Sequence, residues 1–292
     1  MKKKLKKIPV VYFFLIPWFL GLVLLKIVPF LISLVLSFTS YNLIDSPEFI
    51  GFGNYTKMFT ADPIFIKSII ATFKYSFITV PLVLVVSLLV ATILNFKIKG
   101  VNFFRSVYYI PSILGGNVAV AILWQSLFAN DGILNMVLSI VGIDAIPWLV
   151  NPNTALFTIG LLRAWQFGST MVIFLAALQN VPKSLYEAAE IDGAGKITQF
   201  FNVTLPIITP VVLFNFVMGL VHAFQEFNAP YLITNGGPMH STYLMNMYIY
   251  ESAFKTYNMG YASALSWILF LIIMTFTLMV FRSSKYWVHY SD

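Results

Sequence analysis

Six apolar stretches alternate with short polar segments, each long enough to cross a hydrocarbon core, which takes roughly 20 residues. They fall at about 11–39, 72–95, 104–128, 154–179, 206–232 and 260–282. The pattern predicts an all-α integral membrane protein, one domain of six transmembrane helices over 11–284, with a basic N-terminus (1–10) and a short tail (285–292). The first stretch exceeds a signal-peptide core and has no small-x-small cleavage site, so it reads as an uncleaved span. Pro17, Lys26 and Pro29 within it predict a tilt or bend, with Lys26 reaching the outer interface or a cavity.

The charges orient the bundle. Lys2, Lys3, Lys4, Lys6, Lys7, Lys97, Lys99, Arg105, Lys183, Lys196, Arg282 and Lys285 all fall on one side of the predicted spans. The opposite loops (about 40–71, 129–153 and 233–259) carry Lys57, Lys67 and Lys255. The positive-inside rule then gives N-in, C-in, so residues 181–205 between spans 4 and 5 face the cytoplasm. Composition agrees: 59% hydrophobic, 10% charged, against roughly a quarter charged in soluble domains. The net charge of +7 is accounted for by membrane orientation, and nucleic acid is not among the expected partners. With no cysteine in the chain, disulfides and thiolate chemistry are excluded.

The cytoplasmic segment 181–205 is a polar, helix-forming island. Ser184 and Glu187 have capping-box spacing. Leu185, Glu187, Ala188, Ala189 and Glu190 favour a helix that Gly193 and Gly195 end, and a second helical run follows from Lys196 to Val203. Two short helices joined by a glycine bend make a knob for a groove on another protein. Asp192-Gly193-Ala194-Gly195-Lys196 is no phosphate loop, because Glu190 stands where the Walker glycine is needed and Ile197 where Ser or Thr is needed.

Polar residues also recur inside the spans. Asn215, Gly219, His222 and Glu226 are spaced i, i+4, i+7, i+11; Arg163, Gln166 and Thr170 follow i, i+3, i+7; Asn117 and Gln125 are eight apart. Each set lies on one face of a continuous helix. Charges at membrane depth seldom face lipid, so these sets either line a solute pathway or bond helix to helix. Arg163 and Glu226, at comparable depth, either pair with each other or each face a cavity.

The knob carries a resemblance. Glu187-Ala188-Ala189, then Gly193, then Val203-x-Leu205-Pro206 resembles the signature loop of permease subunits of binding-protein-dependent ABC importers. Phe49-Ile50-Gly51-Phe52-Gly53-Asn54-Tyr55, Gly132-Ile133-Leu134-Asn135, Thr234-Asn235-Gly236-Gly237-Pro238 and Met259-Gly260-Tyr261-Ala262-Ser263-Ala264 are similar to the carbohydrate branch of that family, typified by maltose permeases. The resemblance implies an ATP-driven sugar importer of the bacterial cell membrane, with this chain as a non-catalytic permease forming half of the pathway. It implies a heterodimer with a second permease, two ATP-binding subunits that hold ATP and magnesium, and an extracellular solute-binding protein; this chain needs no cofactor of its own. Ser184, Leu185, Glu187, Ala188, Ala189, Asp192, Gly193, Gly195, Leu205 and Pro206 would dock the ATPase. Asn117, Gln125, Arg163, Trp165, Gln166, Thr170, Asn215, His222 and Glu226 would serve the sugar pathway, with Trp165 stacking on a sugar ring and Trp148 belonging to the interfacial girdle.

Two other classes compete. A secondary transporter or channel for a polar solute accounts for the composition and the intramembrane charges but not for the cytoplasmic knob. An intramembrane enzyme would need a nucleophile–base pair, paired carboxylates or a His-Glu-x-x-His helix, and the sequence has none. His222, His240 and His289 lack metal-ligand spacing, so no metal site is expected.

Overall fold

The computed structural model describes residues 10–96 and 100–289, with the backbone alone for 10–13. The basic run from Lys2 to Lys7, together with Lys97 and Lys99, on which the orientation partly rests, lies outside them, as does the tail beyond His289. The described chain is mostly helical and forms two compact units, one of residues 1–62 and 249–268, the other of 63–248 and 269–292.

The first unit begins with α1 (Val10–Leu22), a π turn over Val23–Ile27, and α2 (Val28–Ser37). Proline 29 has no N–H for the carbonyl of Leu25 and its ring crowds it, and the π turn widens the helix there. Lys26 sits in that turn, exposed. A two-residue antiparallel pair, β1 (Thr39–Ser40) with β2 (Glu48–Phe49), leads to α3 (Gly53–Thr60). Two of the family-like stretches meet in this unit. Buried Asn54 donates to the carbonyls of Ser37 and Thr39, each at 2.9 Å. The Gly260 amide donates to Tyr41 O at 3.1 Å, and the Tyr261 hydroxyl bonds the Asp62 carboxylate. A side chain at Gly260 would run into the Thr39 carbonyl, so the close approach requires glycine.

The second unit is built on α4 (Pro63–Asn95), a 33-residue helix. At 1.5 Å per residue it measures about 50 Å, more than a bilayer core. It therefore starts nine residues before the predicted span at 72, because Pro63 is well placed in a first turn. It is followed by α5 (Val101–Ile113), α6 (Val118–Leu127), α7 (Ile133–Ile140), α8 (Pro152–Trp165) and α9 (Gly168–Gln179). Then come α10 (Lys183–Ile191), α11 (Lys196–Gln199), a π turn over Phe200–Thr204, α12 (Leu205–Phe224) and α13 (Asn228–Ile233). Two further helices, α14 (Met245–Phe254) and α15 (Met259–Ser284), each contribute to both units. Helices α8, α9 and α12 pack on α4. Their core is an apolar cluster that includes Ala91, Phe174, Leu178 and Ile208.

Among the described residues, Phe14–Ser37, Pro63–Asn95, Lys196–Phe224 and Met259–Ser284 are long and apolar enough to cross a membrane; two bent pairs raise the number to six if each is one span. The predicted third span is bent by 100° between α5 and α6, and the fourth by 50° between α8 and α9. At the first bend Gly116 has φ +74°, and Asn117 caps α6 by accepting from the Ala119 amide at 2.9 Å. At the second, Gly168 lies so close to α5 that a Cβ would come within 2.5 Å of Tyr108 O, and the Ser112 hydroxyl accepts from the Ser169 amide at 3.0 Å.

Three further expectations are corrected. The helix expected over 206–232 runs instead over Lys196–Phe224, which is long and apolar enough to cross a membrane. Its second π turn again holds the carbonyl, that of Asn202, that a proline four residues on (Pro206) cannot serve. The two helical runs expected within 181–205 are both present, α10 and the run over 196–204, joined at the glycine bend, but the second continues without a break into α12. The Ser184–Glu187 capping box does not form. Pro182 is the N-cap, with no side-chain cap bond, and its carbonyl accepts from the Leu185 amide at 3.2 Å, so the helix starts ahead of Ser184.

Candidate functional site

Two cavities, of about 220 and 380 Å³, lie wholly within the second unit. Tyr75, Arg163 and Glu226 line both, so the cavities meet at these three side chains. Asn117 and Gln166 add polar groups to the smaller one. Thr79, Thr170, Asn215 and His222 do so for the larger. Of the nine pathway residues expected from the sequence, seven therefore line these cavities; Gln125 and Trp165 line neither.

The helix breaks explain how residues off a common helix face come together. Arg163 ends α8 and Thr170 begins α9, so the 50° bend replaces the single stripe anticipated for the fourth span. The Arg163 Nη1 donates to Gln166 Oε1 at 3.3 Å, across the turn. Glu226 is likewise beyond the end of α12 at Phe224, not on its face. Its Oε1 accepts from the amides of Phe227 and Ala229, both at 3.2 Å, and so serves the start of α13. Among the described residues no ion pair joins Arg163 to Glu226. The alternative in which each charge faces the cavity is the one observed.

Asn215 is buried and donates to Val211 O at 3.1 Å, back along its own helix. Gln125 donates to the carbonyls of Leu232 and Ile233, at 3.1 and 2.6 Å, and thus ties α6 to the last turn of α13. Trp165 packs on Trp124, ring centroids 6.1 Å apart, away from both cavities. Trp148 donates to the Oδ1 of buried Asn135 at 3.0 Å, so its partner is the Gly132–Asn135 stretch.

Sequence reasoning missed α4. Tyr75 is 1% exposed and its hydroxyl has no hydrogen-bond partner, and the buried Ser76 and Thr79 hydroxyls are likewise unpartnered. Tyr75 and Thr79 stand four residues apart on the face of α4 that lines the cavities. Ser68, Thr72, Ser76 and Thr79 formed a legible signal, small hydroxyls recurring at helical spacing in an apolar run.

Helix α10 and the glycine bend after it are the second place of interest. Helix α10 ends in a Schellman motif: the Ala194 amide reaches Ala189 O at 2.8 Å and the Gly193 amide reaches Glu190 O at 3.1 Å, with Gly193 at φ +79°. Ser184, Leu185, Glu187, Ala188, Asp192, Gly193 and Gly195 are exposed; Ala189, Leu205 and Pro206 are half-buried. Ile191 and Ile197, 87% and 77% exposed, flank the glycine bend and extend the apolar face beyond the residues anticipated. On the opposite side, Tyr186 packs on the apolar core cluster. Lys196 pairs with Glu190 at 2.5 Å, and this contact holds the Glu190 carboxyl below its ordinary range.

Residues 64–288 match the family of binding-protein-dependent transport system inner membrane components. The chain is 46% identical over 284 residues to the probable ABC transporter permease protein YesP of Bacillus subtilis (strain 168), covering 96% of this chain and 92% of that one. It is 38% identical over 236 residues to SmoG of Agrobacterium fabrum, a sulfoquinovosyl glycerol transport system permease protein, covering 80% and 76%. The fold is shared with a chain in the crystal structure of a bacterial ABC transporter that imports the acidic polysaccharide alginate: TM-score 0.82, 21% identity, 94% and 95% covered. The chain belongs to the inner membrane components of binding-protein-dependent transport systems, the non-catalytic permease subunits of ABC importers, whose ATP is hydrolysed by partner ATPases.

Proposed function

We propose that this chain forms half of the translocation pathway of an ATP-driven saccharide importer in the bacterial cell membrane. The observation that carries the reading is the meeting of two polar-lined cavities at Tyr75, Arg163 and Glu226, in the unit that also holds the apolar cluster around Phe174. Relatives named for lactose, arabinooligosaccharides and starch degradation products support a carbohydrate as cargo. On this reading six spans cross the bilayer N-in, C-in, the two bent helix pairs each counting as one span. The His289 amide donates to the Thr209 hydroxyl at 2.9 Å, one turn above Pro206, which favours the C-terminal end and the knob on the same side.

The exposed face of α10 docks a cleft of the ATPase, with Glu187 free for a basic partner, because it bonds no other described residue, and Leu185, Ala188 and Ile191 giving apolar contact. One chain presents one such knob, so the assembly is a heterodimer with a second permease, two ATP-binding subunits that hold ATP and magnesium, and an extracellular solute-binding protein. Co-purification from the native membrane, followed by saccharide-stimulated ATP hydrolysis in proteoliposomes, tests this. The expected complex contains a second, distinct permease. Full transport by a complex in which this chain is the sole permease would overturn the heterodimer, and uptake independent of ATP would overturn the importer.

A further inference from the structure

The two charges at the cavity junction are not equivalent. Glu226 has already committed Oε1 to the amides of Phe227 and Ala229. Arg163 has used one of its five N–H donors, on the neutral Oε1 of Gln166 at 3.3 Å, a long bond. No carboxylate among the described residues lies within ion-pair distance of it, although Glu226 lines the same two cavities. The fork of donors on a guanidinium is complementary to a carboxylate, which it binds in bidentate fashion. The Tyr75 hydroxyl, buried and unpartnered, lines the same junction. A buried polar group is normally satisfied, so an orphan at a cavity wall points to a group supplied from outside the chain.

The chain therefore engages one oxygen of its cavity carboxylate internally and leaves most donors of its cavity guanidinium for a ligand. A neutral saccharide would offer the guanidinium only hydroxyls, whereas a carboxylate would give it a charge-assisted, bidentate partner. We propose that the cargo is an acidic saccharide, one bearing a carboxylate as a uronate does, received by Arg163 with Tyr75 donating beside it. This rests on the saccharide-import reading. The free oxygen of Glu226, together with Asn117 and Thr79, is then placed to meet sugar hydroxyls on either side of the acid.

The test uses the whole transporter with its binding protein in proteoliposomes. The probes are di- and trisaccharides of galacturonate, glucuronate and mannuronate, each beside the neutral counterpart with hydroxymethyl in place of carboxylate. The acidic member of at least one pair is expected to drive uptake and ATP hydrolysis, its neutral counterpart at least ~10-fold less. Arg163→Gln should lower acidic uptake about 100-fold, the loss typical of a charged hydrogen bond, and Arg163→Lys should restore part of it. Tyr75→Phe, which preserves the ring, should cost about 5- to 10-fold. The binding protein is unchanged in these variants, so the losses belong to the permease. Neutral saccharides carried as well as acidic ones, or Arg163→Gln impairing both alike, would overturn the acidic assignment and leave saccharide import standing. A complex stimulated by no saccharide, but by another solute, would overturn the import reading itself.

Discussion

The Tyr186 hydroxyl lies 2.8 Å from that of Thr204, tying α10 to the foot of the helical run that becomes the fifth span. Thr204 is buried, and the Tyr186 ring packs on the core cluster that α4, α9 and α12 share. On α10 the residues at 185, 188 and 191 point the other way, outward. The helix therefore has an anchoring side and a presenting side, and Tyr186 joins the buried core to the helix that presents the exposed residues.

That anchor gives the first prediction. Tyr186→Phe removes one hydrogen bond, worth about 1 kcal/mol, and should leave coupling nearly intact. Tyr186→Ala also removes the ring from the core, a loss of about 3 kcal/mol or more where collapse is incomplete. Substrate-stimulated ATP hydrolysis should fall sharply in the alanine variant, and amide exchange along α10 should rise. Equal effects of Phe and Ala would show that packing is not what transmits the motion.

Gly193 gives the second. Nothing lies within 4 Å of where its Cβ would stand, so a substitution there meets no clash; the cost is the left-handed backbone at φ +79°. A β-branched residue in that conformation loses about 1–2 kcal/mol, whereas asparagine tolerates it. Gly193→Val should unseat the Schellman motif and depress coupled hydrolysis while membrane insertion persists, and Gly193→Asn should behave nearly as wild type. Full substrate-stimulated hydrolysis in Gly193→Val would sink the account of the knob.

Much of this was legible in the sequence. The helix-ending role of Gly193 followed from glycine in a polar helix-forming run, and apolar length found the membrane helices. Where the reading failed, the cause was a departure from straight-helix geometry. Asn117, Gln166 and Glu226 sit at or beside helix ends, where a periodicity of 3.6 no longer says which way a side chain faces. The π turn before Pro206 kept a helix going where proline suggested a boundary, and the one before Pro29 lies where a bend was expected. Tyr75 escaped notice because it lies in an apolar run where a hydroxyl can bond back to its own helix, as that of Thr72 does on Ser68 O at 2.7 Å, although those of Ser76 and Thr79 do not. Trp165 was drawn to the pathway by its neighbours in sequence, but a residue beside a polar stripe on a helix points elsewhere.

The third prediction concerns pH. Lys196 depresses the Glu190 carboxyl below its ordinary value, first through the hydrogen bond and then through its charge. A carboxylate so lowered adds stability that is present above the unfolded value of about 4.3 and is lost as pH falls through the folded one. Both side chains are well exposed, so the contribution is small and screened by salt. Opening of α10, followed by amide exchange at fixed temperature, should increase between pH 4.5 and 3 in the wild type. Glu190→Gln should flatten that dependence, and a dependence equally steep in the variant would assign it to another group.

The last prediction separates the two duties of Glu226, the start of α13 and the charge of the cavity. Glutamine retains an Oε1 that accepts from the amides of Phe227 and Ala229, so Glu226→Gln should leave α13 in place and remove only the negative charge. Alanine leaves both amides without that acceptor, at a cost of about 0.5–2 kcal/mol. The effect should travel, because α13 is held at its other end by Gln125 of α6, through the carbonyls of Leu232 and Ile233. Loosening α13 from its start therefore weakens the seat of α6, which lines the smaller cavity through Val120 and Ala121. In the Glu226→Ala variant a spin-label distance between α6 and α13 should broaden, and thermal stability should fall; Glu226→Gln should do neither. Gln125→Leu should reproduce the broadening, and the double variant Glu226→Ala, Gln125→Leu should lose less than the sum of the two single losses, as expected of groups acting on one shared element. Strict additivity would mean that the two residues support the cavity wall independently, and a broadening in Glu226→Gln as large as in Glu226→Ala would mean that charge, not the accepting oxygen, holds α13.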